Sequence, residues 1–396
     1  MSDRPPPARA LRSAALFIVL LSVVDLFADF TYEGARSAAG PFLALLGASG
    51  TVVGVVAGLG ELLGYSLRLV SGTLADRTRR YWPIAFVGYA VNLFSVPFLA
   101  LCGRLPAAVA LLLAERTGRA IRAPARDAML SHAAHQTGRG WGFGLHEALD
   151  QTGAVLGPLA VAAALASGRG YRVGFGMLAV PAILAVSVLL IARRLFPQPQ
   201  RLEVRRFEGR AEGLLSAYWI FLACSGLIAA GYADFSLMAF HLRKSLALEP
   251  ARIAAYYALG MATHALAALA FGRLYDAKGL KVLAAGTAIS IFCAPLVFLG
   301  HGPEIAAGVA AWGVGLGAIE ALMRAAVADM SAAHRRGTAY GMFNFGYGLM
   351  WFAGSVLMGW LYDRSIAALV AFSVAAQAAA MPLLLVAHRR FQDERA

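Results

Sequence analysis

Charge is scarce in this sequence. Asp, Glu, Lys and Arg make up 14% of 396 residues, 59% are hydrophobic, and mean hydropathy is +0.65. A soluble protein of this length could not hide so much apolar surface, so a soluble fold is excluded. Cysteine is scarcer still. Cys102, Cys224 and Cys293 lie far apart in apolar runs, without metal-ligand or disulfide spacing. The short alternating pattern of a membrane β-barrel is missing. So are a nucleotide-binding loop and any nucleophile–base pair or metal signature, which argues against an enzyme. The basic N-terminus and the apolar run after it look like a secretory signal. No small-residue cleavage site follows, and Asp25 interrupts the run, so it reads as an uncleaved first span.

What is present is a series of apolar runs of about 20 residues, each long enough to cross a bilayer core of ~30 Å. Twelve spans are predicted in an all-α polytopic membrane protein. Six precede Phe196: Leu11–Gly34, Gly50–Gly72, Trp82–Cys102, Pro106–Ala123, Gly138–Ala164 and Tyr171–Ala192. Six follow: Leu214–Leu242, Ile253–Leu274, Val282–Gly300, Ile305–Asp329, Gly337–Tyr362 and Ile366–His388. The expected domains are residues 1–192, a polar cytoplasmic linker 193–213, and residues 214–396.

The net charge of +13 does not point to nucleic acid, because the basic residues sit in alternate connections. With the N-terminus in the cytoplasm, 24 of the 35 Lys and Arg fall on that side and 8 outside. Arg68, Arg116 and Arg324 lie within spans. This bias predicts an inner (plasma) membrane protein with both termini cytoplasmic.

The halves are weak copies of each other. Ala28-Asp29-Phe30-Thr31 recurs as Ala233-Asp234-Phe235-Ser236, and Gly72-Thr73-Leu74-Ala75-Asp76 as Gly272-Arg273-Leu274-Tyr275-Asp276. Arg139–Gly144 recurs as Arg336–Gly341. All three repeats are offset by about 200 residues, which implies a duplicated six-helix unit.

Ionisable residues avoid every third span. Spans 3, 6, 9 and 12 have none in their apolar cores, only amides and hydroxyls such as Asn92 and Gln377. That predicts four helices facing lipid and eight around a polar interior. Asp25, Asp29 and Glu33 recur every four residues, so they share one face of span 1. An ionised carboxylate in hydrocarbon is costly unless it faces a partner or water, so such residues are candidates for function. Asp25, Asp29, Glu61 and Asp150 are the candidate proton-coupling groups, with Asp29 first because Asp234 is its repeat partner. His146 and Asp150, with Glu147 beside them, suit a proton relay better than a metal site. Glu115/Arg119 and Glu320/Arg324 are spaced for ion pairing within their helices. Arg116 is expected to meet Asp29 or Asp150, or an anionic substrate. Asn344, Tyr347 and Trp351 on span 11 are candidate cavity residues.

The sequence from Gly72 to Arg80 is similar to the signature loop of the major facilitator superfamily: Gly, three residues, Asp, then basic residues. Arg79 stands where that loop has its second Gly. Arg116 resembles the family's second motif. Gly153-Ala154-Val155-Leu156-Gly157-Pro158 resembles its antiporter motif, with Val161-Ala162 replacing the trailing glycines. The chain therefore resembles a bacterial efflux-type secondary transporter of this superfamily over its whole length. The resemblance implies two six-helix bundles around a central cavity, working by alternating access. It implies a gate built from Gly72, Asp76, Arg77, Arg80, Gly272 and Asp276, with Asp76 as a latch. The expected activity is proton-coupled export of a small organic solute by a monomer in the lipid bilayer, with the proton gradient in place of any cofactor. Uptake of an organic anion clamped by Arg116 and Arg324 is the alternative within this class. A non-transporting receptor or scaffold is the alternative outside it.

Overall fold

A computed structural model of the chain describes residues 8–137, 139–199, 216–331 and 336–394. Among the described residues there are fifteen α-helices and no β-strand. They are α1 (Ala8–Leu45), α2 (Gly50–Thr78), α3 (Tyr81–Phe98), α4 (Leu105–Thr137), α5 (Arg139–Ala166), α6 (Gly170–Gly176), α7 (Ala179–Leu195) and α8 (Ser216–Gly231). Then come α9 (Phe235–Lys244), α10 (Pro250–Lys278), α11 (Lys281–Ser290), α12 (Cys293–Phe298), α13 (Pro303–Asp329), α14 (Arg336–Tyr362) and α15 (Ile366–Asp393). The pairs α6/α7, α8/α9 and α11/α12 are single spans interrupted by a few residues, so the fifteen helices correspond to the twelve expected spans. Nine of these are long and apolar enough to cross a membrane by length and composition. Span 4 fails that test because α4 carries Glu115, Arg116, Arg119, Arg122 and Arg126 within little more than three turns. The expected linker, residues 193–213, lies mostly outside the described residues.

Two boundaries differ from expectation, each for a local reason. Span 4 was expected to end at Ala123, before Pro124, yet α4 runs on to Thr137. A proline inside a helix leaves the carbonyl four residues earlier without its N–H donor. Here that carbonyl is Ala120, and the Ser71 hydroxyl of α2 donates to it at 2.9 Å. A neighbouring hydroxyl thus restores the lost bond, as membrane helices allow. The signature segment is likewise mostly helix, since α2 continues through Thr78 and only Arg79 and Arg80 form the turn. Arg79 has φ +52°, a left-handed conformation that favours glycine. It is the position where the family's loop carries its second Gly.

The chain forms two compact units. The first comprises Met1–Ala35, Leu67–Cys102 and Ala110–Phe207; the second comprises Arg36–Ser66, Gly103–Val109 and Glu208–Ala396. The core of the first joins Phe17 and Leu21 of α1, Tyr89 and Leu93 of α3, Met129 and Leu130 of α4, and Leu189 of α7. In the second, α10 packs on α13, and α8 on α14 and α15. The residues of the polar-poor spans are not all turned to lipid. Asn92 and Gln377 are buried and hydrogen-bonded, while Val87, Val180 and Ile183 stand exposed.

The start of α2 is capped from far along the chain. Asp363, between α14 and α15, accepts from the Gly50 amide at 2.8 Å, the Thr51 amide at 2.7 Å and the Thr51 hydroxyl at 2.6 Å. Burial pushes this carboxyl up, but the Thr51 hydroxyl and the two amides outweigh it, and Lys244 adds to them, so its pKa lies below the usual value. A depressed pKa stabilises the fold above the unfolded-state pKa, and that contribution is lost as pH falls through the folded-state value. Asp363→Asn is therefore expected to lower the melting temperature at neutral pH, and less so below about pH 4. Thermal unfolding at both pH values checks this. An equal loss at both would show that the charge is not used.

Candidate functional site

The acidic face of α1 meets a basic face of α4. Arg119, Arg122 and Arg126 recur at helical spacing on α4, and the two rows run in opposite order along the chain. Asp25 is fully buried. Its Oδ1 accepts from Arg122 Nη1 at 2.5 Å and from the Tyr89 hydroxyl at 2.8 Å. Its Oδ2 lies 3.1 Å from Arg126 Nη1. One turn on, Asp29 faces Arg122 Nη2 at 3.7 Å. A further turn on, Glu33 faces Arg119 at 3.9 Å.

Arg122 is the hub of this arrangement. It is 1% exposed, its Nε donates to Asn92 Oδ1 at 3.2 Å, and its guanidinium lies 4.5 Å from the centre of the Tyr89 ring. Asn92 is held in turn by donating to Glu115 Oε1 at 2.9 Å. A charge in this setting needs every donor matched, because an unpaired guanidinium away from water is very costly.

Helix α5 brings a third carboxylate. Oxygens of Asp25, Asp29 and Asp150 lie within 4.8 Å of one another, and Asp29 Oδ1 and Asp150 Oδ1 have no hydrogen-bond partner among the described residues. His146, one turn before Asp150, is buried with Nε2 3.5 Å from Asp25 Oδ2. Its Nδ1 is 3.4 Å from Ser22 Oγ, and that hydroxyl donates to the Ile18 carbonyl at 2.8 Å. A neutral imidazole has one N–H, which goes either to Ser22 Oγ or to Asp25 Oδ2, whereas a protonated ring donates to both. Gaining a proton at His146 places an ion pair against Asp25.

Close backbone approach makes this meeting possible. A Cβ added at Gly153 would lie 2.2 Å from the Leu26 carbonyl oxygen, and one at Gly157 would lie 2.2 Å from that of Phe30. The stretch that resembles the antiporter motif is thus where α5 packs directly on the backbone of α1, beside Asp25 and Asp29.

The other expected site residues are dispersed. Glu147 accepts from Gln151 on its own helix at 3.0 Å. Arg116 lies 3.5 Å from Glu115. Glu61 pairs with Arg36 at 2.7 Å in the second unit. Asp234 caps α9, accepting from the Ser236 amide at 2.8 Å. Asn344 is half-buried on α14, and Tyr347 and Trp351 on the same helix join an aromatic row in the second unit. Gly72 has only ordinary contact with Pro124, and Gly272 has no neighbour that a Cβ would meet. Arg77 and Arg80 are exposed. The side chains of Asp76, Asp276 and Arg324 lie outside the described residues. Sequence reading missed Arg122 and Arg126 as site residues because it ended span 4 at Ala123 and counted both with the cytoplasmic charges, although Arg122 falls just inside that end. The available signal was their spacing after Glu115 and Arg119, which sets a basic stripe opposite the acidic one.

Comparison with known proteins agrees with this architecture. Residues 21–355 match the family model of the Major Facilitator Superfamily. The chain belongs to that superfamily. It is 42% identical over 383 residues to an uncharacterized protein of Mycobacterium tuberculosis (strain H37Rv), covering 95% of this chain and 94% of that one. It is 25% identical over 358 residues to an uncharacterized MFS-type transporter of Methanocaldococcus jannaschii, covering 88% and 89%. Among solved structures, the peptide transporter POT in complex with sulfate aligns with a TM-score of 0.75 at 16% identity, covering 94% of each chain. The nucleoside transporter NupG aligns with a TM-score of 0.71 at 12% identity, covering 95% of this chain and 99% of its own. At these identities the likeness is one of fold.

Proposed function

We propose that this protein is a proton-coupled secondary transporter of a small organic solute, exporting it in exchange for protons. It works as a monomer in the inner membrane with both termini in the cytoplasm, by alternating access of two six-helix bundles, and is not an enzyme. The carrying observation is the charge balance of the buried cluster. Three carboxylates, Asp25, Asp29 and Asp150, converge with two guanidiniums, Arg122 and Arg126, facing Asp25 and Asp29. Like charges this close cannot all be ionised at low cost. Glu33 is matched by Arg119, and Arg126 is shared with the exposed Asp127, so neutrality of the buried set needs at least one proton held among the three acids. A proton held this way, beside a histidine that gains an ion pair on protonation, suits a carrier that loads on one side and releases on the other. The relative named as an MFS-type transporter in M. jannaschii supports transport, and the nucleoside and peptide transporters share the fold. Anion uptake through Arg116 gains no support, since that guanidinium lies beside Glu115.

Asp150 carries the test, because its Oδ1 has no partner to lose. Infrared difference spectra of the purified protein across a pH step are expected to show a protonated carboxyl band that disappears in Asp150→Asn. In proteoliposomes the same variant is expected to lose gradient-driven transport while keeping solute exchange. A carboxyl band unchanged in asparagine variants of all three aspartates, or transport indifferent to a collapsed proton gradient, would sink the coupling.

A further inference from the structure

The second unit holds an aromatic centre that the acidic cluster does not use. Span 7 is broken there, with α8 ending at Gly231 and α9 starting at Phe235. Interrupted membrane helices are stable only where other groups satisfy the freed backbone or where a cavity is lined. Much of the freed backbone is satisfied. The Gly231 carbonyl accepts from Ser373 Oγ at 2.6 Å and Gln377 Nε2 at 3.1 Å, and the Ala233 carbonyl accepts from Trp312 Nε1 at 3.0 Å. The Tyr232 hydroxyl donates to the Trp312 carbonyl. These bonds hold the Tyr232 ring 5.5 Å from Trp351, which lies 5.6 Å from Tyr347, itself 5.3 Å from Tyr65.

Two donors in this row remain unmatched. Tyr347 is 1% exposed and Trp351 5% exposed, and neither Tyr347 Oη nor Trp351 Nε1 has a hydrogen-bond partner among the described residues. A buried donor left unpaired bears the full loss of its hydration, so two on successive turns of one helix call for an acceptor from elsewhere. The surroundings set the ligand's charge. Glu320, whose side chain is 43% exposed and 3.2 Å from His264, lies within electrostatic range of Tyr232 and Tyr347; Glu61, also in range of Tyr347, is already matched by Arg36. Tyr65 is half-buried, so the row is open towards that end.

We propose that Tyr65, Tyr232, Tyr347 and Trp351 bind a planar aromatic solute, neutral or cationic, whose acceptor atoms take the Tyr347 O–H and the Trp351 N–H. This rests on reading the protein as a transporter and supplies the substrate class. The rings supply aromatic contact, the Glu320 carboxylate favours positive charge and disfavours anions, and the two donors fix orientation.

The test is equilibrium binding to the full-length protein in detergent, read by intrinsic fluorescence and thermal shift. Three probes separate the chemistry: berberine, a planar aromatic cation with ether oxygens; tetrabutylammonium, a cation without rings; and salicylate, an aromatic anion. Berberine is expected to bind more tightly than the other two. Tyr347→Phe and Trp351→Phe each keep an aromatic ring and are expected to weaken berberine about fivefold, the worth of one hydrogen bond. Tyr347→Phe should not lower the melting temperature of the ligand-free protein, because no bond is lost; Trp351→Phe also loses buried ring volume, so it is read by binding alone. The proposal is overturned if salicylate or tetrabutylammonium binds as tightly as berberine, or if both variants bind berberine like the parent. It is overturned equally if Tyr347→Phe melts several degrees lower without ligand, since that donor is then bonded within the fold. Binding in detergent needs no proton gradient, so failure here leaves proton coupling standing, and a carboxyl band unchanged in the aspartate variants would leave this site standing.

Discussion

Arg122→Met is expected to destabilise the protein more than any other single change in the first unit. Removing one partner of a buried ion pair leaves the other charge uncompensated, which costs about 3–5 kcal/mol. The partner here is Asp25, fully buried and bonded to Arg122 at 2.5 Å, with Asp29 behind it at 3.7 Å. Arg122→Lys should fall between the two. It keeps the charge but not the fork that reaches Asp25 and Asn92 together. The decisive comparison is the double variant Arg122→Met with Asp25→Asn. With the negative charge also removed, much of the loss should be recovered, because a buried pair often contributes little once both charges are gone. Thermal unfolding of the four proteins gives the coupling energy of the cycle. If the double variant loses the sum of the two single losses, Asp25 is not the group that Arg122 neutralises.

Different physical rules explain why some of this was legible in the sequence and some was not. The spans were legible because crossing a bilayer demands about 20 apolar residues whatever the fold. The acidic stripe was legible because Asp25, Asp29 and Glu33 repeat with the helix and have no business in hydrocarbon unpartnered. Its partner was hidden by one residue. Pro124 marks a helix end in isolation, and only the Ser71 hydroxyl from another helix lets α4 continue. With span 4 ended at Ala123, Arg126 looked like a positive-inside loop charge, and Arg122, the last charge before that end, was counted with it. The span 7 break was illegible for the opposite reason. Gly231-Tyr232-Ala233-Asp234 contains no proline, and the groups that stabilise the break, Trp312, Ser373 and Gln377, are remote in sequence. Arg79 shows a third case. The departure from the family's glycine was visible, but not that the backbone there keeps the glycine conformation.

Gly157→Ala is expected to have the second large effect, acting on stability and on the charged cluster at once. Its new Cβ would meet the Phe30 carbonyl oxygen at 2.2 Å, with the Phe30 carbon atoms at 2.9 Å. These are backbone atoms of a helix, so no side chain can swing aside, and α5 must move away from α1. Overpacking of this kind costs about 1–3 kcal/mol. In a membrane the loss is hard to recover, because helix association there relies on close packing rather than on escape from water. The same movement draws Asp150 away from Asp25 and Asp29 while leaving every titratable group in place. The protonated carboxyl band should therefore weaken as it does in Asp150→Asn, now in a protein that still contains all three aspartates. Gly64→Ala is the control, since a Cβ there has nothing within 4 Å. It should be neutral, or stabilising by the helix preference of alanine over glycine, up to about 1 kcal/mol. If Gly157→Ala lowers the melting temperature but leaves the carboxyl band unchanged, packing and proton binding are separate properties. In that case the close approach of α5 to α1 serves only the fold.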